Sequence, residues 1–309
     1  MTGRVEARDA PVVIFSERPG WHSEQMHRAL HRHGFTAVNA SLSACRLETH
    51  PTPRVFIPGL EGLPAAALVR SIPAGTLQEV VFRLNILHVL DAEGVLVCND
   101  GRAVERSVDK GLTTHLLARA GVTSPPTRVT ACPEQARAWI ERERQGGHAT
   151  VLKPLFGSQG RDLLYLEGPE ELPPPEAYDG VYYLQRYVRP AREGWHDWRV
   201  LVVGDRAVAA MRRSSEGWIS NIARGGQASA AVPDGPLAEK AVAAARALDM
   251  AYAGVDLIAG EDGVLQVLEV NSIPAWRALQ EASRVDVAQA LVDDLVRRLD
   301  PAGQQAGSA

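Results

Sequence analysis

Three oxygen-bearing side chains lie close together near the carboxyl end of this 309-residue chain. The segment GVDLIAGEDGVLQVLEVN places Asp256 in one predicted strand and Glu269 and Asn271 in the next. Residues two apart on a strand point to the same face, and apolar residues flank all three. A buried carboxylate needs a counter-charge. The pattern therefore indicates either a Mg²⁺ site, since Mg²⁺ favours oxygen ligands, or simple pairing with arginines.

A second candidate is the segment VLKPLFGSQG, residues 151–160, where a lysine ends a predicted strand and a glycine-rich loop follows. It is not the GxxxxGK[ST] phosphate loop, because no Lys-Ser or Lys-Thr follows the glycines. Backbone N–H groups of such a loop can still form an anion nest, with Lys153 as a point charge and Ser158 and Gln159 as donors. The alternative is an ordinary β-hairpin.

Lysine is rare in this chain. The 33 basic residues comprise 30 arginines and three lysines, Lys110, Lys153 and Lys240. Arginine and lysine are not interchangeable at a crowded site, because lysine carries a compact charge and arginine a planar fork. A lysine in a chain that otherwise uses arginine is therefore a candidate for a specific role.

Polar side chains are dense between the lysine loop and the carboxylates. DWR places Asp197 and Arg199 at the start of a predicted strand, and MRRSSEGWISNIARGG follows an apolar strand and ends in a Gly-Gly turn. The candidates in this second segment are Arg212, Arg213, Asn221 and Arg224. The pattern indicates either a solvated surface or a set of donors to an anionic substrate.

The elements that would position these residues begin with strands alternating with helices. PVVIF, RVFIPGL and GVLVCND are predicted strands, and SEQMHRALHRHG is a predicted helix with Ser23 as its N-cap and Gly34 as its end. The stretch GTLQEVVFRLNILHVLDAEG has apolar residues at helical spacing. This alternation predicts an open α/β domain over about residues 10–98.

Further helices and strands are predicted after this domain. ERSVDKGLTTHLLARAG is predicted as one helix ending at Gly121, and a further helix begins at Pro133. VYYLQRYV is predicted as a strand, and WRVLVVGDRAVAAMRR as two strands joined in a hairpin at Gly204-Asp205. PLAEKAVAAARALDM is a predicted helix, YAGVDLIAGEDGVLQVLEVN two strands, and DVAQALVDDLVRRL a closing amphipathic helix.

Bulk composition bounds the function classes. A 45% hydrophobic and 23% charged content, with this length, is that of a globular protein of two or three domains. A net charge of −4 lacks the overall basic charge that is typical of nucleic-acid-binding proteins. No apolar run is long enough to span a bilayer, and the N-terminus lacks the apolar core of a signal peptide. Three widely spaced cysteines favour a reducing cytoplasm. His22, His27, His31 and His33 lie on or beside one helix and favour an exposed helix face over a metal site.

Seven of these segments follow one another along the chain in the order DKGLTTHLLARAGVTSPPT, VLKPLFGSQG, YLQRYV, DWRVLVVGDRAVAAMRR, NIARGG, GVDLI and VLEVNSIP. Taken in this order, they closely resemble the ATP-grasp superfamily, and in particular the RimK-type α-L-glutamate ligases. The resemblance covers about residues 100–299. It implies an α/β protein with an ATP-grasp fold, in which two α+β subdomains clasp ATP after a small open α/β preATP-grasp domain. The implied division is 1–98 for that first domain, 99–190 for the central subdomain with its phosphate lid, 191–300 for the C-terminal subdomain and 301–309 for a flexible tail.

The resemblance also implies roles for residues in the nucleotide site. Lys110 and Lys153 would contact the phosphates of ATP, and Gln185 and Tyr187 would line the adenine cleft. The phosphate lid would comprise Gly157, Ser158, Gln159 and Gly160. One departure is Arg186, at a position where relatives often have glutamate.

The remaining implied roles concern catalysis. Arg199 and Arg212 would hold the γ-phosphate and the reacting carboxylate, with Asn221 and Arg224 as further catalytic candidates. Two Mg²⁺ ions, with Mn²⁺ as an alternative, would be held by Asp256, Glu269 and Asn271. The implied reaction joins a carboxylate to an amine through an acyl phosphate and releases ADP.

The acceptor is expected near NSIPAWRALQEAS, where Trp276 offers a flat apolar surface and Arg277 a charge for a carboxylate. The alternative places Trp276 in the core at the start of a helix. NSIPAWRALQEAS and the first-domain segment RSIPAGTLQEVVFRLNILHVL resemble sequences of the ligases that glutamylate tetrahydromethanopterin or methanofuran-type C1 carriers. The expected partners are a small carboxylate acceptor and L-glutamate, without nucleic acid or membrane and with a homo-oligomer left open. Rival readings are glutamylation of a protein or peptide C-terminus, a D-alanine-ligase-like peptide ligase, and a non-catalytic nucleotide-binding regulator.

Overall fold

The computed structural model describes residues 10–157, 161–189, 195–215, 217–218 and 225–300. Its first part contains β1 (Val12–Phe15), α1 (Trp21–Arg32), β2 (Ala37–Ala40), β3 (Arg46–Glu48), β4 (Arg54–Phe56), β5 (Ala66–Val69), α2 (Leu77–Ala92) and β6 (Leu96–Cys98). Four of these strands form a parallel sheet in the order β2-β1-β5-β6. This is the open α/β arrangement that the alternating pattern predicts.

One local prediction in this part is wrong. Helix α1 begins at Trp21 with Gly20 as its N-cap, and Ser23 is buried inside the first turn rather than capping it. RVFIPGL contains a strand as predicted, β4, which pairs with β3 in a separate antiparallel hairpin. The parallel sheet instead contains β5, from AALV, whose four residues are all buried.

The middle part contains α3 (Gly101–Val108), α4 (Lys110–Arg119), β7 (Thr127–Thr130), α5 (Pro133–Gln145), β8 (Thr150–Lys153), β9 (Leu164–Leu166) and β10 (Tyr182–Arg186). Its strands form an antiparallel sheet in the order β7-β10-β8-β9. The single helix predicted before Gly121 is two helices. Asp109 has an extended backbone between them, and its side chain accepts a hydrogen bond from the Leu112 N–H at 3.0 Å, so it caps α4.

The last part contains β11 (Trp195–Val203), β12 (Arg206–Ser215), β13 (Gln227–Ala231), α6 (Gly235–Ala247), β14 (Tyr252–Ala259), β15 (Leu265–Asn271), α7 (Arg277–Ser283) and α8 (Val287–Leu299). The strands form an antiparallel sheet in the order β13-β12-β11-β14-β15. The predicted hairpin at Gly204-Asp205 joins β11 to β12, and β14 and β15 are the predicted carboxylate-bearing strands.

One hydrophobic core joins the first and last sheets. Ile14 and Leu68 of the parallel sheet belong to the same buried cluster as Leu201, Met211 and Trp276. Asn99, fully buried after β6, links the two chemically, because its amide donates to the carbonyls of Tyr252 (2.8 Å) and Ser272 (2.7 Å) and accepts from Ala251 N–H (2.7 Å). The strand ends of the parallel sheet are thereby fixed against the last sheet.

Alanine-rich α6 covers the opposite face of the last sheet, in a second core with Val200, Val255 and Val270. The middle sheet has its own core under α5, built on Trp139, Tyr182 and Leu184. Among the described helices, none combines the length and apolar content that a bilayer span requires.

Candidate active site

A cleft of about 1020 Å³, open to solvent, lies between the middle and last sheets. Five basic side chains line it, against three carboxylates. The basic residues are Lys110, Lys153, Arg161, Arg186 and Arg213, and the carboxylates are Asp197, Asp256 and Glu269. An excess of positive charge in a partly desolvated cleft favours an anionic ligand.

Three charged residues form a row across the floor of the last sheet. Arg199 on β11 is directly opposite Asp256 on β14, and Asp256 is directly opposite Glu269 on β15. Because side chains at paired positions share a face, the antiparallel register places the two predicted carboxylates side by side. The row ends at Glu269 because β15 is the edge strand of the sheet, and a bulge after Asp256 shifts the register of the pairs that follow along β14.

Asp256 is held by arginines. Arg199 donates to both of its oxygens, Nε to Oδ1 and Nη2 to Oδ2, each at 2.6 Å. Arg213 reaches Oδ2 at 3.0 Å and also binds Asp197 with two hydrogen bonds of 2.7 and 2.5 Å. Burial opposes ionisation, but the charges of Arg199 and Arg213 lower the pKa of the Asp256 carboxyl below its usual range. Arginine pairing, one of the two sequence interpretations, thus accounts for this carboxylate.

The carboxyl group of Glu269 has a different electrostatic environment from that of Asp256. Burial and the neighbouring Asp256 charge raise the pKa of its carboxyl, and Lys110, Arg199 and Lys153 oppose that rise only in part. Asn271 adds an amide that donates to Glu269 Oε1 and accepts from Arg199 Nη2, both at 3.3 Å. A buried carboxylate with a raised pKa has too little positive charge around it, which leaves room for a cation.

The two predicted lysines both face this row. Lys153 ends β8, and its Nζ donates to Gln185 Oε1 at 2.7 Å. Burial lowers the pKa of Lys153 to about 8, and the Lys110 charge contributes in the same direction. Lys110, the first residue of α4, donates to the carbonyl of Gly157 at 2.8 Å, and burial lowers its pKa too. The third lysine, Lys240, lies on α6 outside the cleft.

The strand β10 supplies the predicted adenine contacts. Gln185 is buried and links Lys153 to the hydroxyls of Tyr183 (3.0 Å) and Thr127 (3.2 Å). Tyr187 lies at the cleft wall, and its buried hydroxyl has no hydrogen-bond partner among the described residues. Both residues thus line the cleft as predicted, and their nucleotide contacts stay a prediction.

Arg186, the departure from the family pattern, has a local explanation. Its Nε donates at 2.6 Å to Glu143 of α5, whose side chain is only 3% exposed. The other cation near Glu143 is Arg142, at 3.5 Å. Arg186 therefore neutralises a buried carboxylate beneath the cleft wall.

Replacing Arg186 with methionine is expected to lower the free energy of unfolding by about 2 kcal/mol, because a buried carboxylate loses its short charged hydrogen bond. Urea unfolding would measure the change. Arg137→Met, an exposed arginine of the same helix as Glu143, is the matched control and should stay within about 0.5 kcal/mol of wild type. Equal losses in both variants would show that Glu143 does not depend on Arg186.

The structure separates the two adjacent arginines of β12. Arg212, the predicted γ-phosphate contact, is exposed and is not among the residues that line the cleft. Arg213 is 3% exposed and lines it. The physical reason is strand alternation: Arg213 pairs across the sheet with Asp197, which itself faces the cleft. A regular count from Asp197 through the turn at Gly204-Asp205 would select Arg212, and a register shift after Leu201 brings Arg213 opposite Asp197 instead, so the sequence held no signal for Arg213.

Five predicted site residues lie outside the described part of the chain: Ser158, Gln159 and Gly160 of the lid, and Asn221 and Arg224. Gly157 lies within it, has φ +152°, and lines the cleft. The predicted acceptor surface of Trp276 is wrong, since the side chain is fully buried in the core that joins the first and last sheets. The alternative, a core tryptophan at the start of a helix, is correct, because Trp276 is the N-cap of α7.

Three of the four histidines on or beside α1 have separate contacts. His27 contacts Asn39 (2.7 Å), His33 contacts Asp293 (2.7 Å), and His22 packs edge-on against Trp276. Within the described ranges, no group of three or more His, Cys, Asp or Glu side chains is arranged to hold a metal ion. Two carboxylates and an amide could bind Mg²⁺ only if the substrate or water supplied the other ligands, as is usual for this ion. Glu269 suits that role because the positive charge around its buried carboxyl group is too small to balance it.

Two antiparallel sheets that enclose a lysine-lined cleft, behind a parallel sheet, define the ATP-grasp class of ligases. A sequence profile of the RimK-like ATP-grasp domain matches residues 107–295, and the chain belongs to this family. It is similar to the tetrahydromethanopterin:alpha-L-glutamate ligase of Methanocaldococcus jannaschii, with 34% identity over 227 residues, covering 70% of this chain and 75% of that protein. It is also similar to a probable alpha-L-glutamate ligase of Alkalilimnicola ehrlichii, with 38% identity over 209 residues, covering 66% and 68%.

Solved structures show the same fold. The ATP-grasp ligase PsnB complexed with its minimal precursor superposes with a TM-score of 0.73 at 21% identity, covering 94% of this chain and 99% of that one. A RimK domain ATP-grasp protein from Sphaerobacter thermophilus gives 0.68, also at 21% identity, covering 92% and 99%. The predicted family and fold class are confirmed, and the protein is an ATP-grasp ligase.

Proposed function

We propose that this ligase adds L-glutamate to a carboxylate-bearing C1-carrier coenzyme of the tetrahydromethanopterin or methanofuran type, with release of ADP. The observation that carries the proposal is the identity of 34%, 33% and 31% to tetrahydromethanopterin:alpha-L-glutamate ligases from three archaea, each covered over at least 75% of its length. The cleft supports the chemistry, since two lysines, three arginines and three carboxylates line it. Residues 99–190 and 191–300 would clasp the nucleotide, and residues 1–98 would face the acceptor.

In the first step, a carboxylate oxygen of the acceptor attacks the γ-phosphorus, the bond to the β-phosphate oxygen breaks, and ADP and an acyl phosphate result. Lys110 and Lys153 would bind the phosphates from the middle sheet, with Gln185 and Tyr187 toward the adenine. Gly157, with Ser158, Gln159 and Gly160, would cover the phosphates and exclude water, which would otherwise hydrolyse the acyl phosphate. Positioning and charge stabilisation dominate such transfers.

Arg199 and Arg213 would stabilise the charge that moves between the phosphoryl group and the carboxylate, with Arg213 in the place first given to Arg212. Asn221 and Arg224 stay further candidates for this role. Mg²⁺, or Mn²⁺ in its place, would be held by Glu269 and Asn271 beside Asp256 and would neutralise phosphate charge when bound. In the second step, the amine nitrogen of glutamate bonds to the acyl carbon, the C–O bond to phosphate breaks, and the nitrogen loses a proton.

Labelled L-glutamate decides between acceptors. The enzyme with Mg-ATP and labelled glutamate should transfer label to tetrahydromethanopterin, with one ADP formed per label. Ribosomal protein, offered separately, should stay unlabelled. Omission of ATP should abolish the labelling of either acceptor.

Other outcomes would revise the proposal in defined ways. Label in ribosomal protein and none in the coenzyme would reverse the choice of acceptor and leave the ligase chemistry standing. Nucleotide binding without ADP release, over a panel of carboxylates with glutamate, would favour the non-catalytic regulator.

A further inference from the structure

Arg70 follows the carboxyl end of β5, outside the nucleotide cleft, and its guanidinium is a buried cation that lacks a carboxylate. Among the described residues, no acceptor lies within hydrogen-bond geometry of its buried Nε and Nη1. Its Nη2 donates to the carbonyl of Pro274 at 3.0 Å. Burial lowers the pKa of Arg70, and a side-chain hydrogen bond with Tyr252 opposes that change only in part. This phenol is neutral and donates its own proton to Val69 O. Over the described ranges, no carboxylate pairs with Arg70.

A third unpartnered donor lies against it. The Arg70 guanidinium carbon lies 4.2 Å from the ring centroid of Trp276. The Nε1–H of that buried indole also has no hydrogen-bond partner in the described part of the chain. His22 packs edge-on on the same indole at 4.6 Å and accepts from its backbone N–H at 3.3 Å. The His22 pKa is lowered to about 4, mainly by burial and then by Arg70 and Arg277, so this histidine adds no charge at neutral pH.

Leaving such donors unpaired is costly. Each buried group without a partner destabilises the fold by about 1–3 kcal/mol, and by more when it is charged. Proteins retain local violations of this kind mainly at functional sites. Arg277, which follows Trp276, keeps 63% of its side chain exposed and forms a solvent-exposed ion pair with Glu281 at 3.1 Å, and Arg70 as a whole is also partly exposed. The cluster of Arg70, Trp276 and Arg277 thus combines buried unpaired donors with a second cation at the solvent side.

The cluster is also next to the catalytic row. Pro274, which accepts from Arg70, packs on Gly254, where an added Cβ would come within 2.8 Å of the proline Cβ and 3.8 Å of Arg199 Cδ. Because Gly254 has no side chain, the Pro274 segment can pack directly on β14 close to Arg199. Arg70 itself follows a strand of the parallel sheet, and ligands of open α/β sheets bind outside the carboxyl ends of strands.

We propose that Arg70, with Trp276 and Arg277, binds a carboxylate of a substrate that does not itself react. The planar guanidinium fork suits a carboxylate, which accepts two parallel hydrogen bonds, and the indole N–H supplies a third. This inference rests on the proposed function, in which both substrates carry such a group: L-glutamate has two carboxylates, and the acceptor coenzyme carries its own. The site would hold that substrate while its other end meets the phosphoryl group beside Arg199.

Calorimetric titration without turnover tests the site. Wild type, Arg70→Met and Arg70→Lys, each saturated with Mg-ADP, are titrated separately with L-glutamate and with tetrahydromethanopterin. We expect Arg70→Met to weaken one of the two by at least about tenfold, with Arg70→Lys between, and the weakened ligand names the substrate. Mg-ADP affinity should not change. Arg28→Met, an exposed arginine on α1, should bind both ligands like wild type.

Stability provides a second readout that separates binding from a structural role. Removing unpaired donors should leave the ligand-free Arg70→Met variant with a Tm equal to or above that of wild type, whereas a structural clamp would lose Tm. Unchanged affinity for both ligands, or binding of neither ligand by wild type, would overturn the proposal. If Arg70→Met does not fold, Trp276→Phe, which removes only the indole N–H and a ring, replaces it under the same criteria. Arg70-dependent binding of glutamate without ligation would sink the proposed function and leave this site standing.

Discussion

Replacing Lys153 with alanine is expected to lower ATP turnover by about 10²–10³-fold, equal to roughly 3–4 kcal/mol of transition-state stabilisation. Lys153 ends β8 inside the cleft, and among the residues that the structure describes its hydrogen-bond partner is the neutral Gln185. Its charge is therefore available to phosphate oxygens. The fold should persist, because burial already penalises that charge and lowers the pKa of Lys153 to about 8.

Steady-state ADP release measures this effect, and far-ultraviolet circular dichroism checks the fold. Lys240→Ala on α6 is the matched control, since it removes the lysine outside the cleft, and it should keep wild-type turnover. Near-normal ADP release by a folded Lys153→Ala protein would refute the assignment of the nucleotide site.

The lowered pKa adds a pH signature to the same prediction. Phosphate binding favours the charged lysine, and kcat/KM for ATP reports the free enzyme. The wild-type kcat/KM should therefore fall as pH rises above about 8, where Lys153 loses its proton. Lys153→Arg, which stays charged at all accessible pH values, should lack that decline even if its rate is lower. An identical decline in both proteins would assign the titration to another group.

Sequence reasoning located the chemistry wherever residue type and strand alternation were sufficient. The rarity of lysine pointed to Lys110 and Lys153, and the two-residue spacing of Glu269 and Asn271 placed them on one face of β15. The facing of Asp256 and Glu269 depends on the β14–β15 register, which contains a bulge. A bulge leaves no mark in composition, so this contact could be seen only in the structure.

The features that the sequence left undecided or misplaced have the same origin. Arg212 and Arg213 are chemically equal in the sequence, and only the β11–β12 register tells which of them faces the cleft. Asp109 interrupts a helical pattern by capping α4 with its side chain, a local competition that apolar periodicity does not report. Trp276 is buried because it belongs to the core that joins the parallel sheet to the last sheet, which is a long-range contact. The domain boundaries and the roles of the site residues stay predictions.

Asp256 and Glu269 face each other on neighbouring strands, yet their amide variants are expected to behave differently. Asp256→Asn should destabilise the fold by about 3–5 kcal/mol, because it leaves Arg199 and Arg213 buried without their shared carboxylate. Glu269→Gln should leave Tm unchanged or raise it, because burial and Asp256 already disfavour the charge on that carboxyl. Thermal unfolding of the two ligand-free variants measures this contrast.

Glu269→Gln, which should leave the fold intact, is instead expected to impair activity. Glu269→Gln is expected to lower Mg²⁺-dependent turnover by about 10²-fold and to shift the Mg²⁺ concentration dependence upward, since an amide is a poorer ligand than a carboxylate for a hard cation. Glu261→Gln, at the exposed turn between the same two strands, is the matched control and should keep wild-type Mg²⁺ dependence. If Glu269→Gln unfolds instead, or turns over ATP with an unchanged Mg²⁺ requirement, Glu269 is a structural carboxylate. The arginine pairing seen at Asp256 would then describe the whole row.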